Sequence, residues 1–475
     1  MNSLLLRLLS ALLVVGLAGC DDAPRFTQAE PGEALSAGDA TVRRFDVNAY
    51  SMPSANLSAV RRLDFSVGNS FFRSPWVIAP STTTARDGLG PLFNTNACQN
   101  CHIKDGRGHP PEPDALNAVS MLVRLSLPDT QGVAQVVERL GVVPEPVYGT
   151  QLQDMAIPGV APEGRVRVIY EPVPVRFADG TVVELRQPQL QISQLGYGDL
   201  HPLTQFSARI APPMIGLGLL EAIPEQAIMA NAQAQAATWG PIKGRPNQVW
   251  DDAQNKTVLG RFGWKAGQPT LNQQNVHAFS GDMGLTTSLR PFDECTPSQR
   301  ACHQAPDGKG PGGEPEVSDN ILRLVLFYTR NLGVPARRKV DSPTVLAGKN
   351  LFYQAGCQGC HVPQYTTSAD AAEPEQRNQV IRPYTDLLLH DMGPGLADQR
   401  TEFKAGGQDW RTPPLWGIGL SQTVSGHSQY LHDGRARNLL EAVLWHGGEA
   451  EAAKRQVLQF DAQQRAALLA FLDTL

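Results

Sequence analysis

The strongest constraint on this chain is a pattern, Cys-x-x-Cys-His, that occurs twice, at residues 98–102 and 357–361. This spacing is typical of covalent attachment of a c-type haem, because two thiols must reach the vinyl groups along one porphyrin edge while the adjoining imidazole ligates the iron. A single match is also compatible with a bare redox dithiol, whereas two matches in an exported chain favour haem. The sequence therefore predicts two covalent haem c groups, with four thioether cysteines and two axial histidines: Cys98, Cys101, Cys357, Cys360, His102 and His361.

The first residues of the chain resemble an export signal. Arg7 is the only charge before an almost wholly apolar stretch, residues 8–17, and small residues precede Cys20. The stretch is short for a membrane span, which needs about 20 apolar residues. We expect residues 1–19 to be a signal peptide and Cys20 to carry a lipid anchor in the bacterial periplasm. The alternative, an ordinary cleaved signal peptide that contains a cysteine, also places the folded part outside the cytoplasm.

Two of the seven cysteines, Cys295 and Cys302, remain once haem and lipid are assigned. An oxidising compartment allows them to form a disulfide. His303 follows Cys302 directly and raises the alternative of a third haem, but the six residues between the two cysteines are too many for ordinary attachment. We therefore predict a disulfide.

Composition sets the broad class of the protein. A chain of 475 residues is long enough for two or three domains. Its net charge of -5 and its isoelectric point near 6.1 give no support for a nucleic-acid partner. With 44 glycines and 37 prolines, we expect much irregular chain between the helices.

Hydrophobic periodicity predicts a mainly α fold of two cytochrome c-like haem domains, the first interrupted by a β-rich insertion and long irregular loops. An apolar stripe indicates a helix over 316–332, and Asp461 with Gln464 forms a capping-box pattern before a last helix. Each haem motif is thus followed by an amphipathic helix, the order found in cytochrome c domains. The predicted divisions are a flexible, lipid-anchored tether, the first haem domain and the second: residues 20–60, 61–338 and 339–475.

The insertion is predicted at about residues 119–194, where runs of β-branched residues replace helical periodicity. Asp179-Gly180 lies between two of these runs, and Asp-Gly in that setting is a strong hairpin signal. We expect this insertion to cover a haem face or to offer a surface to a partner.

Four segments of the second unit resemble the bacterial di-haem cytochrome c peroxidase superfamily: residues 352–361, 384–393, 411–416 and 430–436. The resemblance is closest to the branch called di-haem oxidoreductases, also labelled peroxidases or thiol oxidoreductases, and it covers most of the chain from about Leu63. In that family the sixth ligand of the C-terminal haem follows a His-Asp-Gly cluster by fourteen residues, which here leads from His432 to His446. The resemblance implies bis-His ligation by His361 and His446, with a lower potential than His/Met ligation would give. The alternative is a helix-end histidine that interacts with the helix dipole.

The resemblance also implies a function. The haem at His102 would be open or weakly ligated and react with peroxide or another oxidant, while the haem at His361 would relay electrons to it, with Trp264 as a candidate relay. The implied partners are peroxide, the membrane, and a small cytochrome, a cupredoxin or a quinol-linked donor; Ca²⁺ enters by family analogy alone. Residues 103–132 lack the distal catalytic pattern of the peroxidases, so no catalytic residue is assigned.

A second hypothesis from a different class remains open. In it the protein is a non-catalytic di-haem electron carrier, in which Met214, Met283 or a histidine is the sixth ligand of the first iron. No cysteine remains for a free redox dithiol, so the thiol-oxidoreductase label adds nothing here. A third hypothesis, an accessory role in iron handling, has no discriminating motif in the sequence.

Overall fold

The structure, a computed structural model, describes residues 26–475, so Cys20 and the predicted signal peptide lie outside the described residues. Within this range there are thirteen α-helices, numbered in chain order: α1 Arg61–Arg73, α2 Cys98–Cys101, α3 Ala134–Leu140, α4 Leu217–Glu221, α5 Glu225–Thr238, α6 Leu271–Met283, α7 Arg300–His303, α8 Asp319–Arg330, α9 Pro343–Gln354, α10 Ser421–Ser425, α11 Leu439–Leu444, α12 Glu451–Leu458 and α13 Ala462–Thr474. None of these helices is both long and apolar enough to cross a membrane.

The strands of the same range form small sheets of two or three strands. They are β1 Thr41–Val42, β2 Leu92–Phe93, β3 Met121–Ser126, β4 Gln151–Leu152, β5 Met155–Ala156, β6 Arg165–Arg176, β7 Val182–Ser193, β8 Gln205–Ile210, β9 Gln248–Asp251, β10 Lys256–Leu259, β11 Val334–Pro335, β12 Tyr365–Thr366, β13 Val380–Ile381, β14 Leu389–Asp391 and β15 Asp409–Arg411.

The prediction of a mainly α fold is wrong. Among the described residues, helices account for 30% and strands for 18%, and the strands are spread over several small sheets. The physical reason is the supply of helix-breaking residues: glycine and proline interrupt long helices, so short strand pairs and turns hold the loops together instead. Most of these pairs are only two or three residues long, too short to give a sequence periodicity.

Two pairs of packed helices form the helical cores of the chain. In the first half α1 packs on α8, and in the second half α9 packs on α13. A glycine lies at each crossing: a Cβ atom on Gly68 would overlap the carbonyl oxygen of Leu324, and one on Gly348 would overlap that of Ala467. Only glycine permits this close approach of two backbones. In each pair the first helix is followed by a haem motif, so both motifs are presented by a similar arrangement.

The β-rich insertion contains the hairpin that Asp179-Gly180 predicts. Strands β6 and β7 pair antiparallel over their full length. The hairpin lies on the second half of the chain, where Arg186 donates to the carbonyl oxygens of Gly434 and Arg435. Near its tip Arg465 Nη1 donates to Asp179 Oδ2 at 2.8 Å. The insertion therefore joins the two haem-bearing halves.

Residues 26–60, the N-terminal segment, differ from the predicted flexible tether. Phe26 exchanges two hydrogen bonds with the side chain of Asn350 in α9, at 2.7 and 3.0 Å. Glu33 is buried between Arg337 and Lys349, and Lys349 Nζ lies 2.8 Å from Glu33 Oε1. Strand β1 also pairs in parallel with β11. Polar contacts hold this segment rather than an apolar stripe, which is why periodicity gave no sign of it.

Replacing Glu33 with glutamine should destabilise the protein by about 3–5 kcal/mol, because it leaves the buried Arg337 without a carboxylate and Lys349 with only the half-exposed Glu30. Chemical denaturation followed by far-UV circular dichroism would measure the change. The matched control is Asp46→Asn, which removes the carboxylate of an exposed ion pair with Arg44 and should leave the unfolding midpoint close to that of the wild type. Equal midpoints for Glu33→Gln and the wild type would contradict the proposed importance of this contact.

Candidate functional site

The first haem motif lies on the wall of a cavity of about 420 Å³, the first cavity, to which Cys98, Cys101 and His102 all contribute. The single turn of α2 carries both cysteines, and His102 follows it directly. His102 Nδ1 lies 2.8 Å from the carbonyl oxygen of Pro212. Because a carbonyl oxygen can only accept, Nδ1 carries the proton and Nε2 is left for a metal ion.

The second haem motif lies on the wall of a smaller cavity of about 180 Å³, the second cavity, with Cys357, Cys360 and His361. His361 Nδ1 donates to the carbonyl oxygen of Tyr384 at 2.9 Å, so its Nε2 is also left for a metal. His446 lies on the same cavity just beyond α11, and its Nδ1 donates to the carbonyl oxygen of Ala442 at 2.8 Å.

The rings of His361 and His446 lie with their centroids 6.5 Å apart and their planes tilted by 48° to each other. An imidazole nitrogen lies about 2.0–2.1 Å from a metal ion that it ligates, so two rings on opposite sides of one ion have centres roughly 6 Å apart. The observed separation therefore fits one metal ion held between the two Nε2 atoms. The separation is also close to the spacing of two histidines that ligate one haem iron.

The four motif cysteines fit haem better than a redox dithiol. All four are unpaired in the structure. Burial raises the pKa of both Cys98 and Cys357 to about 12. A redox-active dithiol needs the opposite shift, because its thiolate is the reactive form. Two cavities, each with two thiols and an imidazole on its wall, thus suit two haem groups.

A family model described as "Di-haem oxidoreductase, putative peroxidase" matches residues 33–475. The chain belongs to the di-haem oxidoreductase family. Neither the curated proteins nor the solved structures gave a match. Membership in this family implies haem cofactors for this oxidoreductase, in keeping with its two cavities.

The first cavity of the oxidoreductase carries a group of polar side chains that the sequence interpretation missed: Gln268, His277, Arg290 and Glu294. His277 Nε2 donates to Asp252 Oδ2 at 3.0 Å, and its Nδ1 lies 3.1 Å from Gln268 Nε2. Burial lowers the pKa of His277, which favours the neutral ring that can donate to Asp252 and accept from Gln268. The Oε1 atom of Gln268 is buried and has no hydrogen-bond partner among the described residues.

Only one of the two carboxylate oxygens of Glu294 has hydrogen-bond partners among residues 26–475. Its Oε1 accepts from Ser280 Oγ at 2.7 Å and pairs with Arg290. Within the described part of the chain Oε2 has no hydrogen-bond partner. Burial raises the pKa of Glu294, but the charge of Arg290 and the hydrogen bonds from Ser280 and Arg290 together hold the pKa below the ordinary value. A carboxylate that stays ionised at the cavity wall is a proton acceptor.

These residues were missed because they lie far along the chain from the first haem motif. The family pattern places distal catalytic residues soon after the first haem motif, in residues 103–132. His277 instead belongs to α6, and Glu294 belongs to the loop after it. The available signal was the row of polar residues, Gln273, Gln274 and His277, inside a helix that also buries Leu271. Such a row indicates a helix with one face toward a polar cavity.

The other sequence candidates are distributed around the two cavities. Met214 and Met283 both line the first cavity, so both remain candidates for the first iron. Trp264 lines both cavities and donates from Nε1 to the carbonyl oxygen of Ile210 at 2.9 Å. Cys295 and Cys302 are joined by a disulfide, which leaves neither available for a third haem.

Proposed function

We propose that this oxidoreductase is a peroxidase-like di-haem c enzyme, with the reactive site in the first cavity and an electron-transfer site in the second. One observation carries the proposal: the two sites are unequal. The ring of His446 lies close to that of His361 in the second cavity, whereas His102 faces a larger cavity lined by polar and charged groups. An open haem iron supplies peroxide binding and redox chemistry, and a six-coordinate iron supplies electron transfer.

The attachment and location of the protein are further parts of the proposal. We propose thioether bonds from Cys98 and Cys101 to one haem and from Cys357 and Cys360 to the other. The sequence also supports a lipid anchor at Cys20 in the bacterial periplasm, where a small cytochrome, a cupredoxin or a quinol-linked protein would donate electrons.

We assign no residue to Ca²⁺. The described residues bring three side-chain donors together in two places, Asp293–Cys295–His303 and Cys360–Asp386–His390. Both groups include sulfur and nitrogen, whereas Ca²⁺ prefers oxygen ligands. Cys295 is also committed to its disulfide.

The polar group of the first cavity can handle the protons of peroxide reduction. Glu294 Oε2 accepts a proton from bound peroxide and later returns it to the departing oxygen. Arg290 keeps this carboxylate ionised and fixed, and His277 fixes the amide of Gln268, whose Oε1 can accept a hydrogen bond from the substrate. Trp264, on the wall of both cavities, is the side chain best placed to pass electrons between the two sites.

The alternative is a non-catalytic electron carrier. One observation favours it: Met214 and Met283 lie on the wall of the first cavity, where either thioether could be the sixth ligand of the iron. In that case both haems would be six-coordinate, and the polar group of the first cavity would be structural.

The spin state of each haem in the isolated holoprotein separates the two functions. We expect electron paramagnetic resonance to show one low-spin ferric haem and one high-spin ferric haem. Peroxide should change the high-spin signal and be consumed when a reduced donor is supplied. Two low-spin signals that peroxide leaves unchanged would overturn the peroxidase proposal in favour of the carrier.

A further inference from the structure

Five residues lie on the walls of both cavities and therefore separate them; we refer to them as the shared wall: Arg107, Trp264, Arg411, Pro413 and Pro414. Three members are apolar or nearly so. The other two are arginines, and they come from opposite parts of the chain. Arg107 follows the first haem motif, and Arg411 ends β15 in the second half.

Arg107 is a buried cation without an anionic partner in the described structure. Its side chain is 6% exposed. No carboxylate of the described residues forms an ion pair with it, and its Nε has no hydrogen-bond partner. The nearest aromatic neighbour is Tyr430, whose ring centroid lies 5.4 Å from the guanidinium carbon. Burial accordingly lowers the pKa of Arg107.

Arg411 is in a similar position. It is 8% exposed, and its guanidinium donates to the carbonyl oxygens of Gly263 at 2.9 Å and Thr412 at 3.1 Å. These carbonyls supply partial charges, and the one carboxylate of the described residues that acts on Arg411, Asp386, does so without an ion pair because it pairs with His390. Burial lowers the pKa of Arg411 to about 10. Its backbone N–H also donates to the carbonyl oxygen of Trp264, which ties it to the centre of the shared wall.

A buried charge that lacks a counter-charge is strongly unfavourable, and proteins normally pair it. The other members of the shared wall, Trp264, Pro413 and Pro414, cannot supply an anion. Haem can, because each haem c retains two propionate carboxylates after its vinyl groups have reacted. Guanidinium groups bind carboxylates with strong, charge-assisted hydrogen bonds.

We propose that Arg107 and Arg411 bind propionate carboxylates of the haems in both cavities and thereby set the reduction potentials of the two haems together. The inference rests on the proposed di-haem function but extends to residues that the reaction itself does not use. A fixed cation near a haem stabilises its reduced form, which carries one positive charge less. Because the two arginines stand between the cavities, each should act on both haems.

The test is Arg107→Gln in the holoprotein, with both potentials measured by redox titration followed by electron paramagnetic resonance. We expect the potentials of both haems to fall. The matched control is Arg261→Gln: Arg261 lines the first cavity alone and donates to the carbonyl oxygen of Ile223 at 2.8 Å. That change should lower the potential of the first haem and leave the second at its wild-type value.

Two further variants keep the test decisive. Arg107→Lys retains the charge and should hold both potentials near their wild-type values. If Arg107→Gln does not fold, Arg411→Gln replaces it, and we again expect the reduction potentials of both haems to fall. A shift in only one potential, or in neither, would overturn the inference. The titration uses no peroxide, so its result is independent of whether the first haem reacts with peroxide.

Discussion

Replacing His446 with alanine is expected to convert the haem at His361 from a six-coordinate, low-spin centre to a five- or aquo-coordinated, high-spin one. The reason is the geometry of the two rings, whose centroids are 6.5 Å apart and whose Nδ1 atoms both donate to backbone carbonyls. Loss of the ring removes one axial ligand without disturbing the other. Optical and electron paramagnetic resonance spectra of the ferric holoprotein would measure the conversion, which should be complete.

Two companion variants show whether His446 acts as a ligand. His446→Met should restore the low-spin state and raise the potential, because a thioether favours the reduced iron. His432→Ala is the matched control: His432 also lines the second cavity, but its ring stacks on Trp410 at 3.6 Å between centroids. The His432→Ala substitution should leave the second haem low-spin. An unchanged low-spin spectrum in His446→Ala would show that bis-His ligation is wrong.

The second large effect is expected at Glu294. Glu294→Gln should lower the rate of peroxide consumption by about 10²–10⁴-fold, the usual contribution of a positioned acid–base group. The haem spectra of the resting protein should not change, because the substitution keeps the shape of the side chain. Single-turnover reaction with peroxide, followed optically, would measure the rate. Asp293→Asn is the matched control, an exposed neighbouring carboxylate outside the first cavity.

The pH dependence gives an independent check on this role. The pKa of Glu294 is held below its ordinary value of 4.5 by Arg290, although burial opposes the shift. The proton-accepting form should therefore persist as the pH falls to that value and be lost only below it. Arg290→Gln removes the cation and should move the acid limb of the rate profile to higher pH. A profile that did not move, together with full activity of Glu294→Gln, would assign the proton transfer to another group.

The sequence predicted best those features whose determinants are local. The turn at Asp179-Gly180 forms the hairpin of β6 and β7, and Asp461 with Gln464 forms the capping box at the start of α13. In each case the residues that decide the structure are within four positions of each other. His446 was assigned through family resemblance. It is 85 positions from His361 in the sequence, and no local pattern predicts that the two residues lie close together.

The features that escaped prediction depend on distant partners. Glu33 is held by Arg337 and Lys349, residues some 300 positions away, and its own neighbours have no periodicity. Glu294 directly precedes the loop that the Cys295–Cys302 disulfide closes. It lines the same cavity as Cys101, although the two residues are far apart in the sequence. Dependence on distant partners also explains the wrong fold class. A strand of two or three residues forms only when its pairing partner is in place, so its own sequence does not predict it.

The contacts of the N-terminal segment also affect the order in which the chain can mature. Phe26 and its hydrogen-bond partner Asn350 are 324 positions apart in the sequence. Closing so long a loop is entropically costly and slow, so this contact should form after the more local contacts of the described chain. Docking of the segment on α9 is therefore expected to be a late step of folding, and a chain truncated before α9 would leave residues 26–60 exposed to proteases.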